Sequence, residues 1–406
     1  MRDAREVARL VDEAHRRHWA TVLAATVRLT RDIDMAEDCV QDAFVQALRS
    51  WPDDVPSNVP GWLTTVSKRA ALDRRRREET LRRKLPLLLV EEEPDSEHSE
   101  PADLLRLVFT CCHPSLSRDA QLSLTLRLMC GLTTAEIGRV LLTKETAIAA
   151  RITRAKQKIA TAKVPFRLPT DEQLPSRLDT VLTVVHLAYT AGHTATGDDL
   201  VRPDLTARAV GLARMLVAQL PAEPEARGLL ALLLLSEARG EARLGASGDL
   251  VLLADQDRSR WDRRLVHEGL SLATRALDEG PGRFALQAAI AGLHMSAPSW
   301  ETTDWRQVVS MYDALLTQWA SPVVALNRLA AASLVPGADL TEVLAELDVL
   351  GQEPTLQRYP YLAATRADIL SRLGRMQAAR AAYDDALTLT DNETERRFLL
   401  SRRSST

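Results

Sequence analysis

The sequence predicts an all-α protein with two small helical domains followed by a longer series of helical hairpins. Apolar residues recur at the three-to-four-residue spacing of amphipathic helices along almost all of the 406 residues. Abundant Ala, Leu and Arg, only 4% aromatic residues and 17 glycines favour helices over sheets. No stretch of useful length alternates apolar and polar residues as a half-buried strand does. We therefore expect helices throughout.

Breaks in the helical pattern divide the chain into three domains. The first pattern ends before EEEPDSEHSEP at 91–101, an acidic segment whose composition cannot bury a core. Periodicity returns from Leu104 to Ile159, and a second boundary follows near 164–176. From about Leu178, short breaks separate one helix from the next, as in stacked hairpins. The predicted domains are 1–84, 104–164 and 176–406, with an acidic linker at 85–103.

The charge is distributed unevenly along the chain. A net charge of −3 would argue against a nucleic-acid partner if it were spread evenly. Residues 1–165, however, carry 27 Lys and Arg against 24 Asp and Glu, whereas the remainder carries 25 against 31. Seven of the acids in the first part lie within 85–103, which contains no Lys or Arg. This asymmetry predicts a basic DNA-binding half and an acidic remainder.

The cysteines and the apolar runs indicate a cellular compartment. The four cysteines are too few and too irregularly spaced for a disulfide framework, which predicts buried thiols in a reducing environment. The N-terminus lacks an apolar signal core, and the longest apolar run, Leu229 to Leu235, is too short to cross a bilayer. We expect a cytoplasmic protein with no membrane partner.

An amphipathic helix is predicted from Asp34 to Leu48. Its buried stripe comprises Ala36, Val40, Ala43, Phe44, Ala47 and Leu48, and its outward side displays Asp34, Glu37, Asp38, Gln41 and Asp42. The outward side is either a solvated acidic face or a surface for a partner.

A cationic segment, GWLTTVSKRAALDRRRR, follows at 61–77. Residues 68–84 carry nine Lys and Arg against three acids. An aromatic residue at the start of a cationic helix suits an opened nucleic-acid strand, because bases stack on the ring while the cations neutralise phosphates. Alternatively, Trp62 belongs to the core and the Arg run is solvated.

Two short helices are predicted within GLTTAEIGRVLLTKETAIAARITRAKQKI at 131–159. Thr133 and Glu136 have the spacing of a capping box, so a helix begins at Thr133 and ends near Leu141. Thr143 is the predicted N-cap of the second helix, with Glu145 in its first turn. A tight turn between two such helices is typical of a helix-turn-helix.

The second of these helices has a small, polar outward face. Its buried stripe is predicted to comprise Ile148, Ile152, Ala155 and Ile159, which places Thr146, Ala150, Thr153 and Gln157 opposite. The flanking cations are Arg151, Arg154, Lys156 and Lys158. Small residues permit a close approach to base edges while cations contact phosphates, so this helix is predicted to enter the major groove of DNA. The alternative is an ordinary surface hairpin with a charged face.

The chain carries none of the common catalytic motifs. It has no GxxxxGK[ST] phosphate loop, no GxGxxG and no HExxH, so we do not expect an enzyme or a cofactor. Cys111, Cys112 and His113 are conceivable metal ligands. Adjacent cysteines cannot easily share a tetrahedral ion, however, and no second close pair completes the set. We expect no metal site.

The motifs and their order resemble those of bacterial sigma factors of the extracytoplasmic-function (ECF) type. The resemblance covers residues 8–160: AEDxVQDAF, then WLxxxxKRxxLDxxRR, an acidic linker and a GLTTAEI helix-turn-helix. The motifs CCHP at 111–114 and TLRL at 125–128, with the long helical C-terminal part, are similar to those of one subgroup. That subgroup has a tetratricopeptide-like (TPR-like) C-terminal extension. The resemblance implies sigma region 2-like and region 4-like domains, and core RNA polymerase and promoter DNA as partners.

The resemblance also assigns roles to individual positions. Residues of the predicted acidic helix would bind core polymerase: Asp34, Glu37, Asp38, Gln41 and Phe44. Residues of the cationic segment would bind the −10 element: Asn58, Trp62, Lys68, Arg69, Arg74 and Arg76. Residues of the second short helix would read the −35 element: Lys144, Thr146, Ala150, Arg151, Arg154 and Lys158. Lys156 would add a phosphate contact.

The C-terminal part is predicted to bind a protein or to fold back on the chain itself. Residues 361–389 have the small-and-aromatic spacing of one tetratricopeptide repeat, whereas earlier hairpins, such as 305–319 with 321–335, lack that signature. The segment LLADQDRSRWDRRL at 252–265 is similar to a signature of the subgroup, or is a salt-bridged loop. HLAYTAGHT at 186–194 departs from the subgroup's usual Asn-Glu-Gly-Tyr word.

Three hypotheses follow. The first is a sigma factor that brings core polymerase to a promoter, with an acidic extension that regulates it in cis. The second is a stand-alone helix-turn-helix regulator whose repeats sense a ligand or a peptide. The third is a repeat scaffold that attracts nucleic acid only loosely, through steeply salt-sensitive contacts.

Overall fold

A computed structural model describes residues 3–82, 100–141, 143–193, 203–243, 245, 251–390 and 393–406. The described residues form 18 α-helices and two short 3₁₀ helices and contain no strand, which confirms the predicted all-α fold class. None of the described helices is long and apolar enough to span a bilayer. The chain divides into two compact units, Met1–Gln219 and Leu220–Thr406.

The first unit contains nine of the described helices. They are α1 Ala4–Thr30, α2 Ile33–Ser50, α3 Val59–Arg82, α4 Glu100–Cys111, α5 Arg118–Leu128, α6 Thr134–Val140, α7 Glu145–Thr161, α8 Leu174–His193 and α9 Pro203–Gln219. Helices α1, α2 and α3 pack against one another around fully buried Leu23, Val40 and Leu63. This three-helix bundle carries the acidic helix and the cationic segment.

Helix α2 agrees with the predicted amphipathic helix except at its C-terminal end. Asp32 caps the helix, because its Oδ1 accepts a hydrogen bond from Met35 N at 2.9 Å. The prediction that Leu48 belongs to the buried stripe is wrong, since its side chain is 46% exposed. Trp51, one turn beyond Ala47 and 1% exposed, continues the stripe instead, so Leu48 lies at its edge.

Helix α4 begins inside the predicted acidic linker. Residues 83–99 lie outside the described residues, but Glu100 already starts α4. Asp103 is buried, and its carboxylate lies 3.0 Å from both Arg28 Nε on α1 and Arg106 Nη1. This acid is therefore a paired charge within the fold, because a buried carboxylate requires cationic partners.

Helices α8 and α9 belong to the first unit, whereas the sequence predicts a boundary near 164–176. Arg177 on α8 donates a hydrogen bond from Nη2 to the Phe109 carbonyl of α4 at 2.6 Å. Its guanidinium also lies 5.6 Å from the centre of the Phe109 ring. The compact units divide between Gln219 and Leu220 because these helices complete the core around α4 and α5.

The second unit is a series of helical hairpins, as predicted. Its α-helices are α10 Pro224–Glu237, α11 Arg263–Glu279, α12 Arg283–Ser296, α13 Trp305–Gln318, α14 Pro322–Ser333, α15 Leu340–Leu350, α16 Pro360–Arg372, α17 Met376–Leu389 and α18 Glu393–Ser404. Helices α16 and α17 coincide with the predicted repeat and turn at Gly374, whose φ of +74° favours glycine. Their buried residues include Ala367, Ala379, Tyr383 and Ala386. The tetratricopeptide class itself stays a prediction.

The segment 252–265 is held by hydrogen bonds to backbone carbonyls. It contains the 3₁₀ helix Arg258–Arg260, and Arg258 Nη1 donates to the carbonyls of His294 and Ala297 at 2.7 Å each. The Arg258 guanidinium lies 4.6 Å from the ring centre of buried Trp261. Asp262 Oδ1 then caps α11. The segment thus connects α10 to α11 through an ordered corner.

His294 makes the stability of the second unit sensitive to pH. It packs against the rings of Trp300 and Trp305, and burial, followed by the charges of Arg239 and Arg258, lowers its pKa to about 4. Below pH 6.5 His294 is protonated in the unfolded chain but stays neutral in the folded chain until the pH approaches 4. The free energy of unfolding therefore falls as the pH drops from 6.5 towards 4. The expected loss is on the order of 3 kcal/mol.

Denaturant unfolding of the full chain between pH 7.5 and 4, followed by tryptophan fluorescence, measures this loss. The variant His294→Gln should remove most of the pH dependence that arises in the second unit. His267→Gln, at an exposed histidine of α11, is the matched control. Equal pH dependence in the two variants would show that His294 is not the responsible group.

Candidate nucleic-acid interface

The first short helix begins with the predicted capping box. Thr133 Oγ1 accepts a hydrogen bond from Glu136 N at 3.2 Å, and Glu136 Oε2 accepts one from Thr133 N at 2.8 Å. Leu132 and Ile137, which flank the cap, are both buried. Two backbone donors that a helix start leaves unpaired are thus satisfied, which explains how a helix of seven residues persists here.

The cap of the second short helix differs from the prediction. Helix α7 begins after Lys144, which makes no side-chain cap, and the prediction of Thr143 as N-cap is wrong. The Thr143 hydroxyl donates instead to the Leu141 carbonyl at 3.0 Å. Glu145 Oε1 accepts a hydrogen bond from the Thr134 hydroxyl at 2.7 Å and so ties α7 to α6. Side-chain contacts across the turn replace the local cap.

The two faces of α7 are those that the sequence predicts. The buried residues are Ile148, Ile152, Ala155 and Ile159. The exposed residues on the opposite side are Thr146, Ala150, Thr153 and Gln157. The outward face is therefore small and polar over three turns, a shape that fits the edges of base pairs in a major groove.

The cations along α7 fall into two groups. Lys144, Arg154 and Lys158 are exposed, and Arg154 Nε donates to the Ala150 carbonyl at 3.2 Å. Arg151 is half-buried because its guanidinium contacts α5. Its Nη2 lies 3.4 Å from Asp119 Oδ2, and its Nη1 donates to Ser123 Oγ at 3.4 Å. Arg154 is thus the exposed arginine of this face, whereas Arg151 is held against the neighbouring helix.

The start of α3 presents the first residues predicted for the −10 element. Asn58 is exposed, and its Oδ1 accepts a hydrogen bond from Gly61 N at 3.0 Å. Trp62 is half-buried and meets Trp51 edge-on, with ring centres 5.8 Å apart. One side of the Trp62 ring thus packs on the bundle, and its stacking on a nucleic-acid base stays a prediction.

The remaining cations of α3 differ in their surroundings. Lys68 is half-buried, whereas Arg69 and Arg76 are exposed. Arg74, predicted to contact DNA, is paired instead with the acidic helix: its Nη1 lies 3.0 Å from Asp38 Oδ2 and its Nη2 2.7 Å from Asp42 Oδ2. These surface pairs hold Arg74 against α2 in this arrangement, and its contact with DNA stays a prediction.

The acidic face of α2 is only partly open. Glu37, predicted on the outward side, is buried, with its carboxylate between Arg127 of α5 and Lys156 of α7. Lys156 also pairs with exposed Asp34. The prediction of Lys156 as a phosphate contact therefore does not hold in this arrangement, since its ammonium points at α2.

Phe44 and Gln41 complete the set predicted for core polymerase. Phe44 is buried, and its ring centre lies 5.0 Å from that of His15 and 6.3 Å from that of Trp19, both on α1. It belongs to the bundle core and is not a surface contact. Gln41 is exposed on α2. Among the five predicted residues, the exposed ones are Asp34, Asp38 and Gln41.

Two residues with structural roles at this interface were not predicted. A Cβ at Gly138 would lie 2.7 Å from the Thr143 carbonyl oxygen, so only glycine allows α6 to approach the turn before α7. Its place inside a helical pattern is a sequence signal of close backbone approach. Arg127 has no such signal, because its partner Glu37 lies 90 residues away.

The four cysteines are all buried free thiols, as predicted. The Cys112 sulfur lies 3.7 Å from Thr125 Oγ1, and burial raises the pKa of its thiol to about 12. Burial also raises the pKa of the Cys111 thiol well above its usual range. Protonated thiols are poor nucleophiles and poor metal ligands, so these side chains act as packing residues.

Comparison with known proteins identifies two domains of the first unit. Residues 14–80 match the family of sigma-70 region 2, and residues 106–159 match the family of sigma-70 region 4. Residues 177–277 match a family of unknown function, DUF6596. The first match coincides with the bundle of α1 to α3, and the second with helices α4 to α7, which include the helix-turn-helix.

Two relatives are similar to different shares of the chain. "Uncharacterized protein R00370" of Rhizobium meliloti is 38% identical over 389 residues, which are 93% of this chain and 91% of the relative. "Probable ECF RNA polymerase sigma factor SigI" of Mycobacterium tuberculosis is 33% identical over 99 residues, which are 24% of this chain and 34% of that protein. No solved structure matches.

Proposed function

The chain belongs to the same family as R00370 of Rhizobium meliloti and carries the region 2 and region 4 domains of a sigma factor, and from this premise we propose how it acts. It is an initiation factor of the ECF type that binds core RNA polymerase through α2. It directs transcription from promoters whose −10 and −35 elements are contacted by α3 and α7. Its second unit regulates that activity.

The observation that carries the proposal is the outward face of α7. Thr146 and Ala150 are short, so the helix backbone can approach the groove closely. Arg154 is exposed beside them and long enough for a two-pronged contact with guanine. Lys144 and Lys158, also exposed, suit phosphates. Such a face supports sequence reading together with a modest intrinsic affinity for DNA.

The downstream contact is proposed for α3. Asn58 and Arg69 are exposed, and the half-buried Trp62 ring offers one accessible side to an unpaired base. Capture of a flipped base would draw promoter melting forward at a cost of a few kcal/mol in unstacking. Arg74 is left out of this set because it pairs with α2.

The second unit is proposed to bind a protein or another part of the chain. Stacked hairpins expose extended surfaces that suit a peptide or a domain. Its net charge is negative, whereas that of the first part is positive, and this opposite charge supports regulation in cis. The TPR-like subgroup and the domain bounds 1–84, 104–164 and 176–406 remain proposals.

Binding to core polymerase in the absence of DNA tests the proposal. Gln41→Arg changes the exposed face of α2 without removing an internal ion pair, and it should weaken binding about fivefold or more, because it places a cation within an acidic contact surface. Gln46→Arg places the same change on another exposed side of α2. Failure of the full chain to bind polymerase would refute the proposal, and tight sequence-specific duplex binding alone would favour the stand-alone regulator.

A further inference from the structure

One lysine joins the DNA-reading helix to the helix proposed to bind polymerase. Lys156 Nζ, on α7, lies 2.7 Å from Asp34 Oδ1 and 2.5 Å from Glu37 Oε2, both on α2. The lysine side chain is 14% exposed, and that of Glu37 is 6% exposed. These charges are partly removed from water, which strengthens their attraction.

Arg127 completes the surroundings of Glu37. Its Nε lies 3.1 Å from Glu37 Oε1, and its Nη1 donates to the Leu132 carbonyl at 3.1 Å. Each carboxylate oxygen of Glu37 therefore has its own cation, one from α5 and one from α7. Both cations come from the region 4 domain, whereas the carboxylate comes from the region 2 domain.

The contact between the two domains extends beyond these charges. Asp103 on α4 pairs with Arg28 on α1, and Arg31 Nη1 donates to the Phe166 carbonyl at 3.3 Å. A Cβ at Gly131 would lie 3.3 Å from the His15 ring of α1, so the turn before α6 also lies on the bundle. The ion pairs at Glu37 thus form part of a continuous seam within the first unit.

The seam covers one part of the surface proposed to bind polymerase, the carboxylate of Glu37. While Glu37 is held by Lys156 and Arg127, its oxygens are not available to another protein. The outward face of α7, with Ala150 and Arg154, remains exposed in the same arrangement. The seam therefore buries Glu37 and pairs Asp34 with Lys156, while the DNA-reading face stays open.

We propose that Lys156 and Arg127 hold the polymerase-binding face of α2 closed in the free chain. Polymerase binds after α7 leaves α2, and its own groups then replace these two cations. This inference rests on the proposed function, because it regulates the same face. It adds that the region 4 domain is the intramolecular competitor of polymerase.

The ion pairs suit a reversible closure. On opening, water solvates all three charges again, so the net gain from the pairs is far smaller than their attraction in the closed form. Salt screens the attraction further. A closed form populated at about 90% lowers the apparent affinity for polymerase tenfold, because only the open fraction binds. A variant that opens the seam should therefore bind polymerase about tenfold more tightly.

Distance measurement between spin labels tests the closure without polymerase. Labels are placed through Gln46→Cys on α2 and Gln157→Cys on α7, at exposed positions, while the four native cysteines are buried. With Lys156 unchanged, the labels at positions 46 and 157 should lie at one short distance from each other. Lys156→Glu should shift the population to longer distances, Lys156→Ala should do so partially, and Lys163→Ala, at an exposed lysine just after α7, should change nothing.

The affinity for core polymerase, measured without DNA, is the second readout. Lys156→Ala and Lys156→Glu should bind up to about tenfold more tightly than the unchanged chain, and Lys163→Ala should bind equally. Unchanged distances in Lys156→Glu, or unchanged affinity despite longer distances, would overturn the inference. If the distances lengthen but no variant binds polymerase, the closure stands and the proposed function fails.

Discussion

Replacing Gly138 by alanine is expected to reduce promoter reading through α7 while the region 2 bundle stays folded. The new Cβ would lie 2.7 Å from the Thr143 carbonyl oxygen, a backbone atom that cannot rotate away. The turn must open, and overpacking of this kind costs about 1–3 kcal/mol. If this free energy destabilises the conformation in which α7 is placed for DNA reading, promoter-dependent transcription drops about 5-fold to 150-fold.

A matched glycine separates this effect from a general effect of alanine in a helix. A Cβ at Gly211 on α9 would meet no neighbouring atom within 4 Å, so Gly211→Ala should leave transcription unchanged. It should also stabilise the first unit by up to about 1 kcal/mol, because alanine is the better helix former. Equal transcription by the Gly138 and Gly211 variants would contradict the turn geometry described above.

Ending the chain near residue 165 is expected to destabilise the region 4 domain strongly. The cut removes Arg177, which donates to the Phe109 carbonyl and covers the Phe109 ring. It also removes Leu178 and Val181 of α8, which are buried. Exposure of the Phe109 side chain alone costs about 2 kcal/mol, within a net stability of about 5–15 kcal/mol.

A chain that ends at Gln219 is the matched comparison. It keeps α8 and α9 and coincides with the division between the compact units. Circular dichroism should show one cooperative thermal transition for this chain and a lower, broader transition for the chain that ends near residue 165. If both truncations melt alike, α8 and α9 do not stabilise the region 4 domain.

Local pattern in the sequence was sufficient to predict the helices and their faces. The stripe of Ile148, Ile152 and Ile159 follows directly from a helical period of 3.6 residues. The capping box at Thr133 is equally local, since its two partners lie three residues apart. Features of this kind depend on neighbours in the chain, so one sequence contains the information they require.

The errors arose where the deciding partner is distant in sequence. Glu37 lies at a position that the helical pattern predicts to be exposed. It is buried by Arg127 and Lys156, which are 90 or more residues away in the sequence. Arg74 likewise lies in a basic run of the sequence, and its ion pair with Asp38 of α2 cannot be predicted from that run. Charge patterns predict that a surface is polar, but the tertiary fold decides which opposite charge it meets. The packing of α8 against Phe109, which places α8 in the first compact unit, could not be predicted for the same reason.

Promoter-dependent transcription with purified components tests the central claim most directly. Core polymerase is supplied with the full chain and genomic DNA of its source organism, and the 5′ ends of the transcripts are mapped. The account predicts discrete start sites preceded by two shared sequence elements, with initiation lost or greatly reduced in the Gly138→Ala variant. The same 5′ ends from core polymerase alone, or start sites without a shared upstream element, would contradict it.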